Sequence, residues 1–184
     1  MIAALVIAGI IIVSGFVLMG LYNSLVKLRV TADSAWSDID IQLKRRHDLI
    51  PNIVETVKGY AAHEKGTFEN IARYRSNAIS ANTPEEKAAA EAQLTNAVRG
   101  LYAVAENYPQ LKADQNFLSL QSTLADIEDK IQNARRYYNA VVRDFNTRVQ
   151  SFPANLIAGM FGFHPRQFFE MENAADRENV AVKF

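Results

Sequence analysis

Hydrophobic residues follow two patterns along this chain: a continuous run at the start, and a helical spacing after it. The run reads IAALVIAGIIIVSGFVLMGL from Ile2 to Leu21 and contains no charged residue. A helix of about 20 residues crosses a hydrocarbon core of about 30 Å, and a run that is apolar on every face suits lipid. We therefore expect residues 1–22 to form one transmembrane anchor, with lipid-facing positions that include Ile2, Leu5, Ile10, Phe16 and Leu21.

The alternative interpretation of this run is a cleaved signal peptide. A signal peptide has a basic start, an apolar core of about 7 to 15 residues and small residues at its cleavage site. The run has none of these features, and Lys27 and Arg29 follow it instead of preceding it. Because positive charge favours the cytoplasmic side, the sequence predicts a single-pass protein of the inner membrane, with its N-terminus outside and the remaining chain cytoplasmic.

Beyond the anchor, apolar residues recur every three or four positions, which is typical of amphipathic helices. The first stripe passes through Pro51 without a change of phase, so a kink is favoured there and a helix end is the alternative. A helix end followed by a new start is expected at Gly66 and Thr67. The residues of the first stripe are Trp36, Ile39, Leu43, Arg46, Ile50, Ile53, Val57 and Tyr60.

Two further helices complete the predicted domain. Thr83, Pro84 and Glu86 form the pattern of a capped helix start, and that helix should end before Pro109. The last and longest stripe continues from Phe117 to Phe152 with the 3,4 spacing of a coiled coil. Four helices with short connections predict an all-α, up-and-down four-helix bundle over residues 23–152.

The composition argues against several classes of function without identifying one. Lys plus Arg and Asp plus Glu both number 20, so no overall charge favours nucleic acid as a partner. There is no cysteine, and the three histidines lack the spacing of a metal site. The glycines form no phosphate-binding loop, and no serine stands in a nucleophile motif. We therefore predict no catalytic residue, no cofactor and no metal.

Arg46 is the one charged residue on the first stripe. A buried charge costs several kcal/mol unless it is paired, so we expect an ion pair that fixes helix register. A polar seam of Gln132, Asn139 and Asn146 is a second way to accommodate it. An enzyme site built on Arg46, His47 and Asp48 is the remote alternative.

The helical spacing of apolar residues stops at Phe152, and the composition changes there. Residues 151–171 contain five aromatic residues and two glycines. We expect residues 153–184 to form an aromatic-rich segment and a polar tail. The aromatic segment packs across the bundle end, lies at the membrane interface or binds a partner, and packing is favoured. The candidate interaction surface consists of Arg135, Arg136, Phe152, Phe161 and Phe163.

In several stretches the chain resembles the LemA family of bacterial membrane proteins. These are YNSLVKLR, AWSDIDIQLKRRHDLIPNIVETVKGYAAHE, AENYPQLKADQNFLSLQ, ARRYYNAVVRDFN and QSFPANLIAGMFGF. The resemblance implies an N-terminal membrane helix followed by a four-helix bundle. It implies no agreed activity and no catalytic residue.

The hypothesis that follows is a membrane-anchored interaction or scaffold protein whose partners are the lipid bilayer and a second protein or a second copy of itself. The alternative is a protein that contacts or remodels lipid through its aromatic C-terminal segment.

Overall fold

The computed structural model describes residues 1–170, and all regular secondary structure within that range is helical. The prediction of an all-α fold that begins with a long apolar helix is confirmed. The polar tail from Glu172 lies outside the described residues. The helices are α1 (Ile2–Lys58), α2 (Lys65–Ser80), α3 (Pro84–Glu106), α4 (Pro109–Lys112), α5 (Gln115–Gln150) and α6 (Ala154–Phe161).

Helix α1 carries both the apolar run and the first amphipathic stripe. Pro51 lies inside it, so the helix does not end there. Within residues 1–170 it is the one helix long and apolar enough to cross a membrane, and its most apolar stretch is not buried against protein. Among the predicted lipid-facing residues, Leu21 is half-buried, whereas the others are exposed: Ile2, Leu5, Ile10 and Phe16.

The chain divides into two compact units. The first contains Met1–Ile41 and Gln132–Gln167, and the second contains Gln42–Ile131 and, among the described residues, 168–170. In the second unit, segments of α1, α2, α3 and α5 share one apolar core with α4. Large residues of this core include Ile50, Ile53, Phe68, Ile71, Leu94, Leu101, Leu111, Phe117 and Leu124.

Two boundaries in the second unit differ from the sequence prediction. Helix α1 ends at Lys58, and α2 already begins at Lys65, so Gly66 and Thr67 belong to the first turn of α2. The backbone closes a turn after Lys58, where the amides of Tyr60 and Ala61 both donate to the carbonyl of Val57. Glycine is a poor helix former, and Gly59 at this turn accounts for the early end of α1.

The end of α3 before Pro109 agrees with the prediction, but the short helix that follows it was not predicted. Helix α3 ends at Glu106, and Pro109 begins the short helix α4 that precedes α5. Proline suits a first helical position because its missing N–H has no partner there in any case. Pro109 therefore follows the end of α3 and is also the first residue of α4.

In the first unit, α1 and α5 pack antiparallel. Leu25 near the start of the α1 segment clusters with Phe145 and Val149 near the end of α5. Further along α1, the Trp36 ring lies 5.2 Å from the Tyr138 ring, earlier in α5. Thus, as α1 leads away from the apolar run, α5 returns toward it.

After α5 the chain turns at the end of the first unit that is nearest the apolar run. Helix α5 ends at Gln150, so Phe152 does not continue its buried stripe and is 80% exposed. Helix α6 stops at Gly162, whose φ of 69° is left-handed and favours glycine. The amide of Phe163 closes this turn by donating to the carbonyl of Ala158 at 2.9 Å.

Residues 163–167 form an irregular segment, which we call the strap, that lies against α1 and α5 within the first unit. The side chain of Asn146 donates to the Arg166 carbonyl at 2.9 Å and accepts from the Arg166 amide at 2.8 Å. The Tyr138 hydroxyl donates to the Gln167 carbonyl at 3.0 Å. The Arg166 guanidinium lies 2.7 Å from Asp33 of α1. Side chains of α5 thus form the hydrogen bonds with the strap backbone that a neighbouring strand forms in a β-sheet.

Candidate functional site

Among residues 1–170, three polar side chains are buried, all in the second unit: Arg46 and His47 on α1, and Glu91 on α3. The Arg46 Nη1 atom lies 3.1 Å from Oε2 of Glu91, and the His47 Nε2 atom lies 2.6 Å from its Oε1. Both carboxylate oxygens therefore have partners from successive residues of one helix.

Two more residues complete the surroundings of Arg46. The Nη2 atom of Arg46 donates to the hydroxyl of Thr95 at 2.7 Å, one helical turn beyond Glu91. That hydroxyl in turn donates to the Glu91 carbonyl at 2.9 Å, which fixes its orientation. Glu128 on α5 lies 3.5 Å from Arg46. The guanidinium therefore connects α1 to both α3 and α5.

Helix α2 is connected to the same place through the backbone. The Arg75 Nε–H donates to the carbonyl of His47 at 2.7 Å. Nearby, burial raises the pKa of the Tyr102 hydroxyl, and the charge of Arg46 acts in the opposite direction. The segments of α1, α2, α3 and α5 in the second unit thus converge on Arg46 and His47.

This arrangement has the chemistry of a structural ion pair. A buried guanidinium needs its charge compensated and its N–H groups satisfied, and Glu91, Glu128 and Thr95 do most of that. These partners replace the predicted polar seam, since Asn146 of that seam binds the strap. Sequence reasoning missed Glu91 because it stands among alanines in EKAAAEAQL, where a glutamate is typical of a solvated helix face.

The residues of the predicted interaction surface do not form one surface in the structure. Some lie on α5, some lie on or beside α6, and Phe163 is buried. On α5, Arg136 is exposed and its guanidinium hydrogen-bonds the side chain of Asn133, while Arg135 is half-buried. Tyr137 beside them is 53% exposed. A basic and aromatic patch, which we call the α5 patch, therefore consists of Arg136 and Tyr137.

Phe163 requires a correction, because it is not part of a surface. Its ring is 5% exposed and packs within 5.9 Å of the Tyr22 ring and 6.5 Å of the Phe145 ring. The Arg29 guanidinium covers it at 5.0 Å from the ring centre. The left-handed turn at Gly162 directs the chain back onto the helices, and this turn brings Phe163 into the core.

Helix α6 presents the second exposed place. Its outward side chains are large and apolar, and Phe161 lies 4.8 Å from Tyr22, the residue that follows the apolar run. Ala154, Ile157 and Ala158 of the opposite side are buried. The exposed apolar face, which we call the α6 face, consists of Phe152, Leu156, Met160 and Phe161.

Comparison with known proteins identifies relatives. The sequence profile described as the LemA family matches residues 35–184. Two magnetosome proteins named MamQ, from Paramagnetospirillum magneticum, are each 24% identical over 201 residues, covering 94% of this chain and 74% of their own length. Protein LemA of Metamycoplasma hominis is 27% identical over 168 residues, covering 91% of this chain and 75% of its own.

Proposed function

We propose, on the premise that this chain belongs to the LemA family, that it is a membrane-anchored scaffold which binds a second protein through the α5 patch. The chain is a membrane-associated helical protein, and one helix within residues 1–170 is able to cross a bilayer. The observation that supports the scaffold role is the exposure of Tyr137 beside Arg136 on α5.

The chemistry of the α5 patch suits a protein partner with acidic groups. Tyrosine and arginine are enriched among the residues that dominate protein interfaces. The Tyr137 side chain is 53% exposed. The guanidinium of Arg136 offers paired donors that match a carboxylate. We expect the partner to place an aspartate or glutamate against Arg136 and an apolar group against the ring.

The location of the patch favours protein over lipid. Tyr138, next to Tyr137 in sequence, packs on Trp36, which follows Tyr22 by 14 residues of continuous helix. At 1.5 Å per residue that is about 21 Å along α1. The polar layer of a bilayer is only about 5–7 Å thick on each side. Helix α5 therefore carries the patch beyond the reach of a lipid head group.

The test is crosslinking from the patch in native membranes. A photoreactive phenylalanine analogue replaces Tyr137 in the full-length protein, and the same residue at Leu118 is the matched control, since Leu118 is a 47% exposed apolar residue of the same helix. We expect one recurring adduct from position 137 that is absent from position 118 and lost when Arg136→Glu is added. A patch that yields no adduct, or one indifferent to Arg136→Glu, contradicts the scaffold. An adduct of the chain with itself identifies the partner as a second copy.

The orientation of the protein is part of the same proposal. The exposed cations Lys27 and Arg29 follow the apolar run and favour a cytoplasmic bundle. Because the chain has no cysteine, Asn82→Cys, in the exposed connection before α3, gives a single labelling site. We expect a membrane-impermeant maleimide to label it only after intact cells are permeabilised. Labelling of intact cells means that the bundle lies outside.

The α6 face supports a second candidate function, direct contact with lipid. Met160 is 76% exposed and Leu156 59% exposed, and their helix ends beside Tyr22. An exposed apolar helix face at this level is typical of helices that lie in the membrane interface. The chain touches the bilayer a second time in this arrangement, without a second crossing.

The single tryptophan provides the test of lipid contact. In the variant Trp36→Phe with Met160→Trp, fluorescence reports on α6. In the unaltered protein it reports on Trp36, which lies about 21 Å along the helix from Tyr22. We expect brominated lipids in reconstituted vesicles to quench the tryptophan at position 160 strongly and Trp36 weakly. Equal, weak quenching at both positions would remove the lipid contact.

A further inference from the structure

An open groove lies between α1 and α5 in the first unit, close to the end of the apolar run. Its volume is 510 Å³. The apolar side chain of Leu28 lines it, and its polar lining is formed by Ser24, Arg143, Asp144, Thr147, Arg148 and Ser151. None of these residues takes part in the α5 patch or the α6 face.

The charge of the groove matches a single negative charge. Two arginines and one aspartate line it, which leaves one net positive charge. Asp144 lies 3.9 Å from the Nε atom of Arg143, and both side chains are exposed. A phosphate monoester carries about −1.5 to −2 at pH 7, whereas a phosphodiester carries a single negative charge. The charge balance therefore favours a phosphodiester.

Arg148 supplies the second arginine of the lining, and its side chain is half-buried. Its Nε atom is enclosed by protein, so a ligand in the open groove meets the terminal N–H groups instead. A guanidinium readily donates two parallel N–H bonds to phosphate oxygens. An anion in the groove would accept from these terminal groups.

Hydroxyl groups surround the two arginines. Ser24 comes from α1, and Thr147 and Ser151 come from successive turns of α5. The Ser151 hydroxyl donates its single proton to the Thr147 carbonyl at 2.7 Å, so Ser24 and Thr147 are the hydroxyl groups that can donate to a ligand. Hydroxyls of serine and threonine donate well to phosphate oxygens. The groove thus adds neutral donors to its charge.

The depth of the groove points to the source of the phosphodiester. Ser24 and Leu28 follow Leu21 by three and seven helical residues, or about 5 and 10 Å along α1. The head-group layer of a bilayer is about 5–7 Å thick on each side. Tyr22, an amphipathic aromatic residue, stands where interfacial aromatics belong. The end of the groove at Ser24 therefore lies at the level of lipid phosphates, and Leu28 lies just beyond it.

We propose that this groove binds the phosphodiester of one phospholipid head group. Arg148 and Ser24 donate to the phosphate oxygens, and Arg143 supplies the second positive charge. Asp144 accepts a hydrogen bond from a hydroxyl or ammonium group further out on the same head group. The site does not depend on a protein partner at Tyr137, so the two proposals fail independently.

The test is titration of the full-length protein, in a nonionic detergent, with short-chain phosphatidylglycerol, followed by native mass spectrometry. The variant Arg148→Gln removes the central donor, and Arg99→Gln, an exposed arginine of α3, is the matched control. We expect one bound phospholipid per chain, at least a tenfold loss of affinity in Arg148→Gln, and no change in Arg99→Gln, because a charged hydrogen bond contributes about 1.5–3 kcal/mol.

A second variant keeps the test decisive if Arg148→Gln does not fold. Thr147→Glu places a carboxylate in the groove at an exposed position, and it should lower the affinity for phosphatidylglycerol by a similar factor. Unchanged binding in Thr147→Glu and in any folded Arg148→Gln overturns the proposal. So does displacement of the phospholipid by inorganic phosphate at equal concentration, since the groove would then be a site for free phosphate.

Discussion

The Nε2 atom of His47 lies 2.6 Å from one carboxylate oxygen of Glu91, while Arg46 lies 3.1 Å from the other. One buried carboxylate thus serves two neighbouring residues of α1. Because Glu91 is 1% exposed, both contacts are shielded from bulk water, and Arg46 and His47 lose them when the carboxylate is removed. The stability of the second unit should depend strongly on this residue.

Replacing Glu91 with alanine should destabilise the protein by about 3–5 kcal/mol, because it leaves the buried charge of Arg46 with only the more distant Glu128. Urea unfolding of the full-length protein in detergent, followed by circular dichroism, measures the loss. Gln93→Ala, an exposed change on the same helix, should cost far less. A loss below about 1 kcal/mol in Glu91→Ala would show that the ion pair contributes little.

Arg46 and Glu91 should also be energetically coupled. Arg46→Met removes the guanidinium and leaves the Glu91 carboxylate buried, so it should be strongly destabilising by itself. Adding Glu91→Leu should recover about 1–3 kcal/mol, because the second change removes the carboxylate left behind. A double-mutant cycle from unfolding curves measures this coupling. Additive effects would mean that the two charges do not interact.

The strap should be loosened by loss of one amide side chain. Asn146→Ala removes both hydrogen bonds to the Arg166 backbone and should cost about 1–3 kcal/mol. Hydrogen exchange should show faster exchange of the Arg166 amide, with unchanged protection of the α1 amides around Leu25. Gln150→Ala, an exposed change on the same helix, is the control. Slow exchange at Arg166 in Asn146→Ala would mean that other contacts hold the strap.

Asp114 should contribute to the acid sensitivity of the protein. Its carboxylate accepts from the Phe117 amide at 2.9 Å and from the Tyr60 hydroxyl at 3.0 Å, and these bonds lower the pKa of Asp114. A lowered folded-state pKa means that the contribution is present above the unfolded value of 3.8 and is lost as pH falls through the folded value. Asp114→Asn should therefore flatten the loss of stability below about pH 4.

The same hydrogen bond should act in the opposite direction at alkaline pH. It raises the pKa of Tyr60, so its stabilisation is complete below the unfolded value of 10.0 and is lost as pH rises through the folded one. Tyr60→Phe should reduce the loss of stability at alkaline pH. The hydrogen bond from the Phe117 amide to Asp114 remains in this variant, so part of the acid-dependent loss should remain as well. Unfolding of the wild type and both variants across pH separates the two effects. Identical profiles would exclude a role for this pair.

Features that depend on neighbouring residues could be predicted from the sequence. The start of α3 is an example, because Thr83 and Glu86 exchange hydrogen bonds of 3.1 and 3.2 Å within one turn. The end of α1 was harder, since the apolar spacing continues through Tyr60 and Ala61, and Ala61 is buried although it lies beyond the helix. Periodicity indicates which face of a helix is apolar, and it does not show where hydrogen bonding changes.

Features that depend on distant residues could not be predicted in detail. The need of Arg46 for a partner follows from the cost of burying a charge, but Glu91 lies 45 residues away along the chain. The two roles of Asn146 depend on the strap 20 residues later. In both cases the polarity of a residue was visible, while its partner depended on how helices pack.

The contact between Tyr22 and Phe161 implies an order of events during biosynthesis. Helix α6 can reach the end of the anchor only after α5 has returned along α1, because Phe161 follows α5 in the chain. Synthesis therefore completes the apolar run long before α6 exists. The aromatic pair joins one of the first parts of the first unit to be synthesised with one of the last.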